Sequence, residues 1–228
     1  MPPPPPTAAL FDLDGTLVAT LRLYFDAFAY ALEPVFGRRL SREEMAVHHP
    51  RSEVRFLREL SGDENHPWVM ERFYRHYAER HDEAFEGIYP GIPGMLDRLR
   101  AAEIPIGMVT GKSRRSWEIT GPRIDLGEFP VKIFDDDVPA AKPDPTGLRL
   151  AVEGLGREPD EVIYVGDSPT DLEAARRAGM RPGGVLWSKR DGERESFREL
   201  AIEMGGLAFD APDQVVELLL DARTDART

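Results

Sequence analysis

The sequence predicts an α/β fold, a parallel sheet with helices on both sides and an all-helical cap inserted after the first strand. Two observations carry this. Short apolar runs alternate with helix-like segments along most of the chain, and strands separated by helices need crossovers that lay neighbouring strands parallel. The interval 18–88 breaks the alternation, because helix-like segments follow one another there without a convincing strand.

Taken in order, the apolar runs 8–13, 104–110, 131–134 and 162–166 read as strands buried on both faces. The shorter runs 184–187 and 207–209 bring the sheet to six. Helices are expected at 92–103, 113–120, 146–155, 171–178 and 194–204. Within the interval, 21–36, 42–48, 51–60 and 67–85 read as helices, with Leu57, Leu60, Trp68, Phe73 and Tyr77 supplying apolar faces. One helical excursion lying on the sheet would give the same pattern. A separate cap is favoured, because ~70 residues can build a small bundle with its own core. The expected divisions are core 1–17, cap 18–88 and core 89–221. Residues 17–20 and 85–91 would be hinges; Gly87, Pro90 and Gly91 suit the second. The proline run 1–6 and the tail 222–228 are expected to be flexible.

Composition excludes several classes of function. Lys plus Arg number 29 and Asp plus Glu 41, a net charge of −12, with a pI near 5.0. That balance argues against a nucleic-acid footprint and a polybasic membrane patch. It leaves room for a local basic pocket and a small anionic substrate. No cysteine is present, which removes disulfides, thiolate zinc sites and cysteine nucleophiles. No apolar run nears the ~20 residues of a membrane span, and no signal-like segment is evident. A cytoplasmic location is the expectation.

Parallel sheets place their ligand sites beyond the carboxyl ends of the strands. After the first strand comes Asp12-Leu13-Asp14-Gly15-Thr16, and after the second Thr110-Gly111-Lys112-Ser113. A loop after the third leads to Lys142-Pro143-Asp144-Pro145. The fourth runs into Gly166-Asp167-Ser168-Pro169-Thr170-Asp171. Two carboxylates at i, i+2 can address one small volume, and Asp167 beside them would repel unless a cation lay between. Oxygen donors without His or Cys suit a hard cation such as Mg²⁺. One aspartate can then act as nucleophile and the other as acid and base. Thr110 would hydrogen-bond a transferred group, and Lys142 would offset its charge. These are the parts that phosphoryl transfer needs.

These residues resemble the haloacid dehalogenase superfamily, specifically its phosphoglycolate phosphatase-like branch with a helical cap. FDLDGTL matches the first motif, VTGKS the second, Lys142 in KPDP the third and VGDSPTD the fourth. GVLW at 184–187 matches a segment common in the branch, and the likeness runs from about Thr7 to Leu220. The resemblance implies a Rossmann-like core and a Mg²⁺-dependent phosphatase of a small phosphorylated metabolite. It implies that Asp12 attacks phosphorus and forms an aspartyl-phosphate. Asp14 then protonates the leaving group and activates water, Thr110 binds the phosphoryl oxygens, and Lys142 steadies the charge. Asp167 would hold Mg²⁺ with the Asp12 side chain and the Asp14 backbone carbonyl. Asp171 would reach the metal, directly or through water, or orient Lys142. Thr16, Gly111 and Lys112 join the substrate-binding set.

Departures separate the branches. Asp14 argues against the superfamily's dehalogenases and phosphonatases, which lack that acid. Thr16 favours a phosphatase over beta-phosphoglucomutases, which commonly carry valine there. Ala19-Thr20 replaces the usual Asp-Ser, and a cap segment often rich in small residues reads His48-His49-Pro50-Arg51-Ser52. Both leave the leaving group open; His49 and Arg51 are candidates to contact it. Phosphosugar mutase, pyrophosphatase and a catalytically silent binding protein are the competing functions.

Bland readings stand beside these. Asp12, Asp14, Thr110 and Asp167 are residue types common in turns and caps, and Lys142 would pass for a solvated loop lysine. Asp171 suits a helix cap as well as a metal. Lys112 would face either phosphate or water. His48, His49 and Arg51 read equally as a solvated junction at Pro50. The charged residues of 51–59 read as a solvated face with helical charge pairs, and Trp117 and Trp187 as packing residues.

Overall fold

The computed structural model of the chain describes residues 5–48 and 52–225. Six parallel strands form one sheet in the order β3-β2-β1-β4-β5-β6. They are β1 (Ala8–Phe11), β2 (Ile106–Val109), β3 (Val131–Ile133), β4 (Val162–Gly166), β5 (Arg181–Val185) and β6 (Leu207–Phe209). Helices α4 (Ile92–Ala101), α5 (Arg114–Thr120), α6 (Thr146–Leu155), α7 (Pro169–Ala178), α8 (Asp191–Glu203) and α9 (Pro212–Asp225) connect and flank them. β1 lies between β2 and β4, so the strand order reverses at its carboxyl end, where such sheets hold their ligands.

Period-two alternation decides which face each β1 side chain joins. Ala9 and Phe11 pack with Met95, Leu96, Leu99, Val215 and Leu219 under α4 and α9. Ala8 and Leu10 pack on the other face with Leu148, Val152, Ala174 and Ala175 of α6 and α7. All four β1 residues are fully buried, and each large one contributes roughly 1.5–3 kcal/mol.

Between β1 and α4 the described residues form helices α1 (Leu21–Phe36), α2 (Arg42–Ala46) and α3 (Glu53–Ala84). Leu23, Tyr24, Phe28 and Leu32 of α1 meet Phe56, Leu57, Phe73 and Tyr77 of α3 in an apolar cluster apart from the sheet's. Phe28 lies 4.7 Å from Phe56 and 5.2 Å from Phe73, ring centre to ring centre. The connections to this unit run side by side. Ala19 N–H donates to Gly87 O at 2.9 Å, and Tyr89 N–H donates to Leu17 O at 3.0 Å.

Several expectations need correction. β3 is an edge strand with Lys132 exposed and its neighbours half-buried, because only β2 and α6 cover it. β5 begins three residues before the expected run. Its Gly183 and Gly184 are unremarkable in sequence, yet an added Cβ would press on Phe209 and Phe197 at 3.0 and 3.1 Å. The two helices expected at 51–60 and 67–85 are both present, joined in α3 and separated by a non-helical kink at Gly62 (φ 74°, ψ 159°); only the start of the second, before residue 67, differs. The tail expected from 222 is helical to Asp225, with Ala222 buried. Pro6, expected in the flexible start, is also buried. Among the described residues no helix is long and apolar enough to cross a membrane.

Candidate active site

The loops after β1, β2 and β4 and the loop that holds Lys142 converge at one edge of the sheet. Asp12 follows β1 directly, and its N–H donates to Val165 O at 2.9 Å, which ties it to β4. Its carboxylate, 6% exposed, receives the Lys142 ammonium at 3.0 Å. Burial pushes Asp12 up to about 8; Lys142 opposes this, while Asp171, Asp167 and Asp14 add to it.

Lys142 is held from three sides. It contacts Asp12 and, at 2.6 Å, Asp171, and it donates to the Tyr164 hydroxyl at 2.9 Å. Tyr164 OH in turn donates to Val109 O at 2.9 Å. Burial alone would lower Lys142, but the charges of Asp12 and Asp171 hold it well above its ordinary value, so it stays an ammonium.

Single ligand oxygens of Asp12, Asp167 and Asp171 lie within 4.8 Å of one another. This all-carboxylate donor set fits a hard divalent cation. The three are unequal. Asp171 stands third in α7 and closes a capping box, accepting from Ser168 N–H at 2.9 Å and Ser168 Oγ at 2.6 Å. Its other oxygen takes Lys142. Burial would raise it, yet Lys142 and Ser168 hold it below the usual carboxylate range. Both bland and functional readings of Asp171 are therefore present at once, as a cap that also holds Lys142. Asp167 meets Lys189 at 3.2 Å; burial raises it and Lys189 works against the rise.

Gly15 brings the first and fourth motifs together. Its φ is +81°, and an added Cβ would lie 2.6 Å from an Asp167 carboxylate oxygen, so only glycine fits. Thr16 beside it is buried, and its hydroxyl has no hydrogen-bond partner among the described residues. Its carbonyl accepts from Trp187 Nε1 at 2.9 Å.

Asp14 turns its side chain away from the three clustered acids. It accepts from Thr20 Oγ1 at 2.6 Å, from Tyr24 OH at 3.3 Å and from Lys112 Nζ at 3.3 Å. Lys112 is 1% exposed, which excludes the solvent-facing reading. Its ammonium also donates to Tyr24 OH at 2.5 Å and to Tyr77 OH at 2.9 Å, under rings 4.4 and 4.9 Å away. Burial would lower Lys112, but Asp14, Tyr77 and Glu53 raise it above its ordinary value. Thr110 is buried, and its Oγ1 accepts from Lys112 N–H at 3.1 Å. That leaves its own O–H free to donate. Gly111 lies half-buried between them.

The unit formed by α1–α3 closes over this edge. Glu53, expected on a solvated face, is instead buried. It accepts from Ser113 N–H at 3.1 Å, from Ser116 Oγ at 2.6 Å and from the Ser113 hydroxyl. Ser52 Oγ donates to Asp135 at 2.6 Å. Arg55 donates to Asp135 and to the carbonyls of Val138 and Pro139. Their charge serves contact across the two units, which periodicity within one helix does not reveal. His48 contacts Glu59 at 3.3 Å; the candidates His49 and Arg51 lie outside the described residues. Trp117 packs against Phe134, as expected.

Sequence reasoning missed Thr20, Tyr24, Tyr77, Tyr164 and Lys189. A tyrosine inside a buried strand needs a partner for its hydroxyl, and that was the available signal for Tyr164. Thr20 stands out in sequence only as a departure six residues after Asp14, Tyr24 follows it on α1, and Tyr77 and Lys189 reach the site from distant parts of the chain.

Comparison with known proteins agrees with the fold. The profile of the haloacid dehalogenase-like hydrolases matches residues 9–185. Pyrophosphatase PpaX of Bacillus velezensis is 31% identical over 198 residues, 85% of this chain and 89% of that protein. The same-named protein of Listeria monocytogenes serotype 4a is 32% identical, covering 80% of this chain and 84% of that one. A solved structure of a hydrolase from Pseudomonas syringae superposes with a TM-score of 0.74 at 24% identity, covering 94% of this chain and 98% of that one.

Proposed function

The chain belongs to the haloacid dehalogenase-like hydrolases, and we propose that it is a Mg²⁺-dependent phosphatase of a small phosphorylated metabolite working through an aspartyl-phosphate. The single observation that carries this reading is Asp12, buried at the end of β1 against Lys142, with Asp167 and Asp171 alongside. A carboxylate so placed attacks phosphorus while Lys142 offsets the charge gathering on the phosphoryl oxygens. Thr110, with its O–H free, donates to one of those oxygens, and the partnerless Thr16 hydroxyl is available to another. Gly111 allows close approach of the group being transferred, and Lys112 adds positive charge at that edge.

Asp14 serves as acid and base. Thr20 and Tyr24, which bind its carboxylate, belong to the helical cap, so Asp14 stands at the seam where a leaving group held by the cap would lie. Asp12, Asp167 and the Asp14 backbone carbonyl would hold the divalent cation, which supplies charge neutralisation at the phosphoryl group. Asp171, with both oxygens engaged, is the positioning residue for Lys142.

Pyrophosphate is the second reading for the substrate. Two relatives sharing 31% and 32% identity are named pyrophosphatases. The same attack by Asp12 would then expel phosphate. A phosphate-release assay on pyrophosphate, metabolite monoesters and an aryl phosphate, each with and without Mg²⁺, tests both readings. Turnover only with Mg²⁺, lost in Asp12→Asn, is the expected result. No turnover of any of them would return the silent binding protein as the better reading.

A further inference from the structure

We propose that Lys189, paired with Asp167, competes with a divalent cation for that carboxylate and so lowers the affinity of the site for metal. The inference rests on the divalent-cation reading above and adds a competitor built into the chain.

Three lysines meet four carboxylates at this edge of the sheet. Lys142 bridges Asp12 and Asp171, and Lys112 pairs with Asp14. Asp167 is left with Lys189, 3.2 Å away, as its ion-pair partner among the described residues. Lys189 follows β5, where its N–H donates to Leu186 O at 3.1 Å. That turn aims its ammonium back over the end of β4. Both side chains in the pair are about one-sixth exposed, so the attraction is only partly screened.

Asp167 is the carboxylate with the fewest other commitments. Asp171 is fixed by its cap and Asp12 by Lys142, so of the two ammonium groups beside a cation held between Asp12 and Asp167, Lys189 is the one bound to a single carboxylate. An ammonium hydrogen-bonded to a ligand carboxylate lies within a few ångströms of any metal on that carboxylate. The two positive charges then repel one another.

The structure also gives Lys189 somewhere to go. Its side chain lines an open groove of about 440 Å³ together with Glu193, Ser196, Glu199 and Glu203 of α8. The Phe197 ring lies 4.6 Å from the ammonium. The groove's glutamates are other carboxylates open to Lys189 when a divalent cation takes Asp167.

The test is Mg²⁺ binding by titration calorimetry at about pH 8.5, without substrate, where ordinary carboxyls are ionised and lysine keeps its charge. Lys189→Met should bind Mg²⁺ on the order of tenfold more tightly than the parent, since one nearby unit charge is removed. Lys189→Arg, which keeps the charge, should bind within a few-fold of the parent. Metal-free Lys189→Met should also melt lower, having lost the partner of Asp167. A second readout uses the parent alone. Acylation of Lys189 by an amine reagent, followed by peptide mass spectrometry, should quicken several-fold when Mg²⁺ is added. Equal or weaker binding by Lys189→Met overturns the proposal and makes Lys189 an orienting partner of Asp167, as does unchanged acylation. A parent protein that binds no divalent cation would instead remove the metal reading itself, and this inference with it.

Discussion

Asp14 and Lys112 show how much one side chain's surroundings decide. From the sequence, Lys112 would face either phosphate or water. Burial with three hydrogen-bonding partners leaves no water-facing option. The aspartates were legible because their spacing at strand ends is itself chemical information. Tyr24 and Tyr77 were not, because in sequence they are two more aromatic positions on helix faces, and only the packing of α1 against α3 points their hydroxyls at Lys112. Gly15 supports a prediction at this scale. Gly15→Ala forces a Cβ against the Asp167 carboxylate and a side chain onto φ +81°. That strain costs roughly 1–3 kcal/mol, and Asp167 must shift. The variant should fold with a lowered melting temperature and, with Asp167 in its proposed metal-holding role, lose at least ~10-fold in turnover. Parent-like values of both would refute the close approach.

The elements divide by how local their causes are. β1, β4, α1 and α6 were predicted within a few residues, because each has an apolar pattern of its own and a clear end such as Gly37 or Gly156. β5 was mistimed because its glycines owe their burial to Phe209 and Phe197 from other elements. The division of α3 into two helical stretches was legible because Gly62 takes up the left-handed φ that breaks the helix there. The start of α3 was misread as solvated because its partners, Ser113, Ser116 and Asp135, lie on the core. That last contact is open to test. Glu53→Ala leaves the buried donors of Ser113 and Ser116 without their acceptor, a loss of about 1–3 kcal/mol. Chemical denaturation should show that loss, and if α1–α3 act as the proposed cap, KM should rise more than kcat falls. Unchanged stability would place these contacts outside the closed protein in solution.

At the scale of the whole molecule, a metal-free cluster of buried acids ties stability to pH. In the folded protein Asp12 holds its proton up to about 8, whereas its ordinary value is 3.8. The folded state therefore binds a proton that the unfolded state has released, and Asp12 makes stability fall as pH rises from about 4 through about 8. Asp171, held below its ordinary value, acts the other way, and its contribution is lost only in more acidic solution, below about 4. With metal chelated, melting temperature should thus drop between about pH 5.5 and pH 8, and Asp12→Asn should show a shallower drop. Equal slopes in the two proteins would contradict a burial-raised Asp12. The fold, four converging loops and most of the acids were visible in the sequence, whereas the cap's grip on Asp14 and on the loop after β2 was not. Those contacts join residues up to 88 positions apart. What the whole arrangement is for comes down to Asp12. Borohydride quenching of the enzyme during turnover, with peptide mass spectrometry, reduces an acyl phosphate to an alcohol at the residue that carried it. Homoserine at position 12, dependent on both substrate and Mg²⁺, is the predicted result. Full turnover with residue 12 recovered only as aspartate, or homoserine formed elsewhere, would contradict the account.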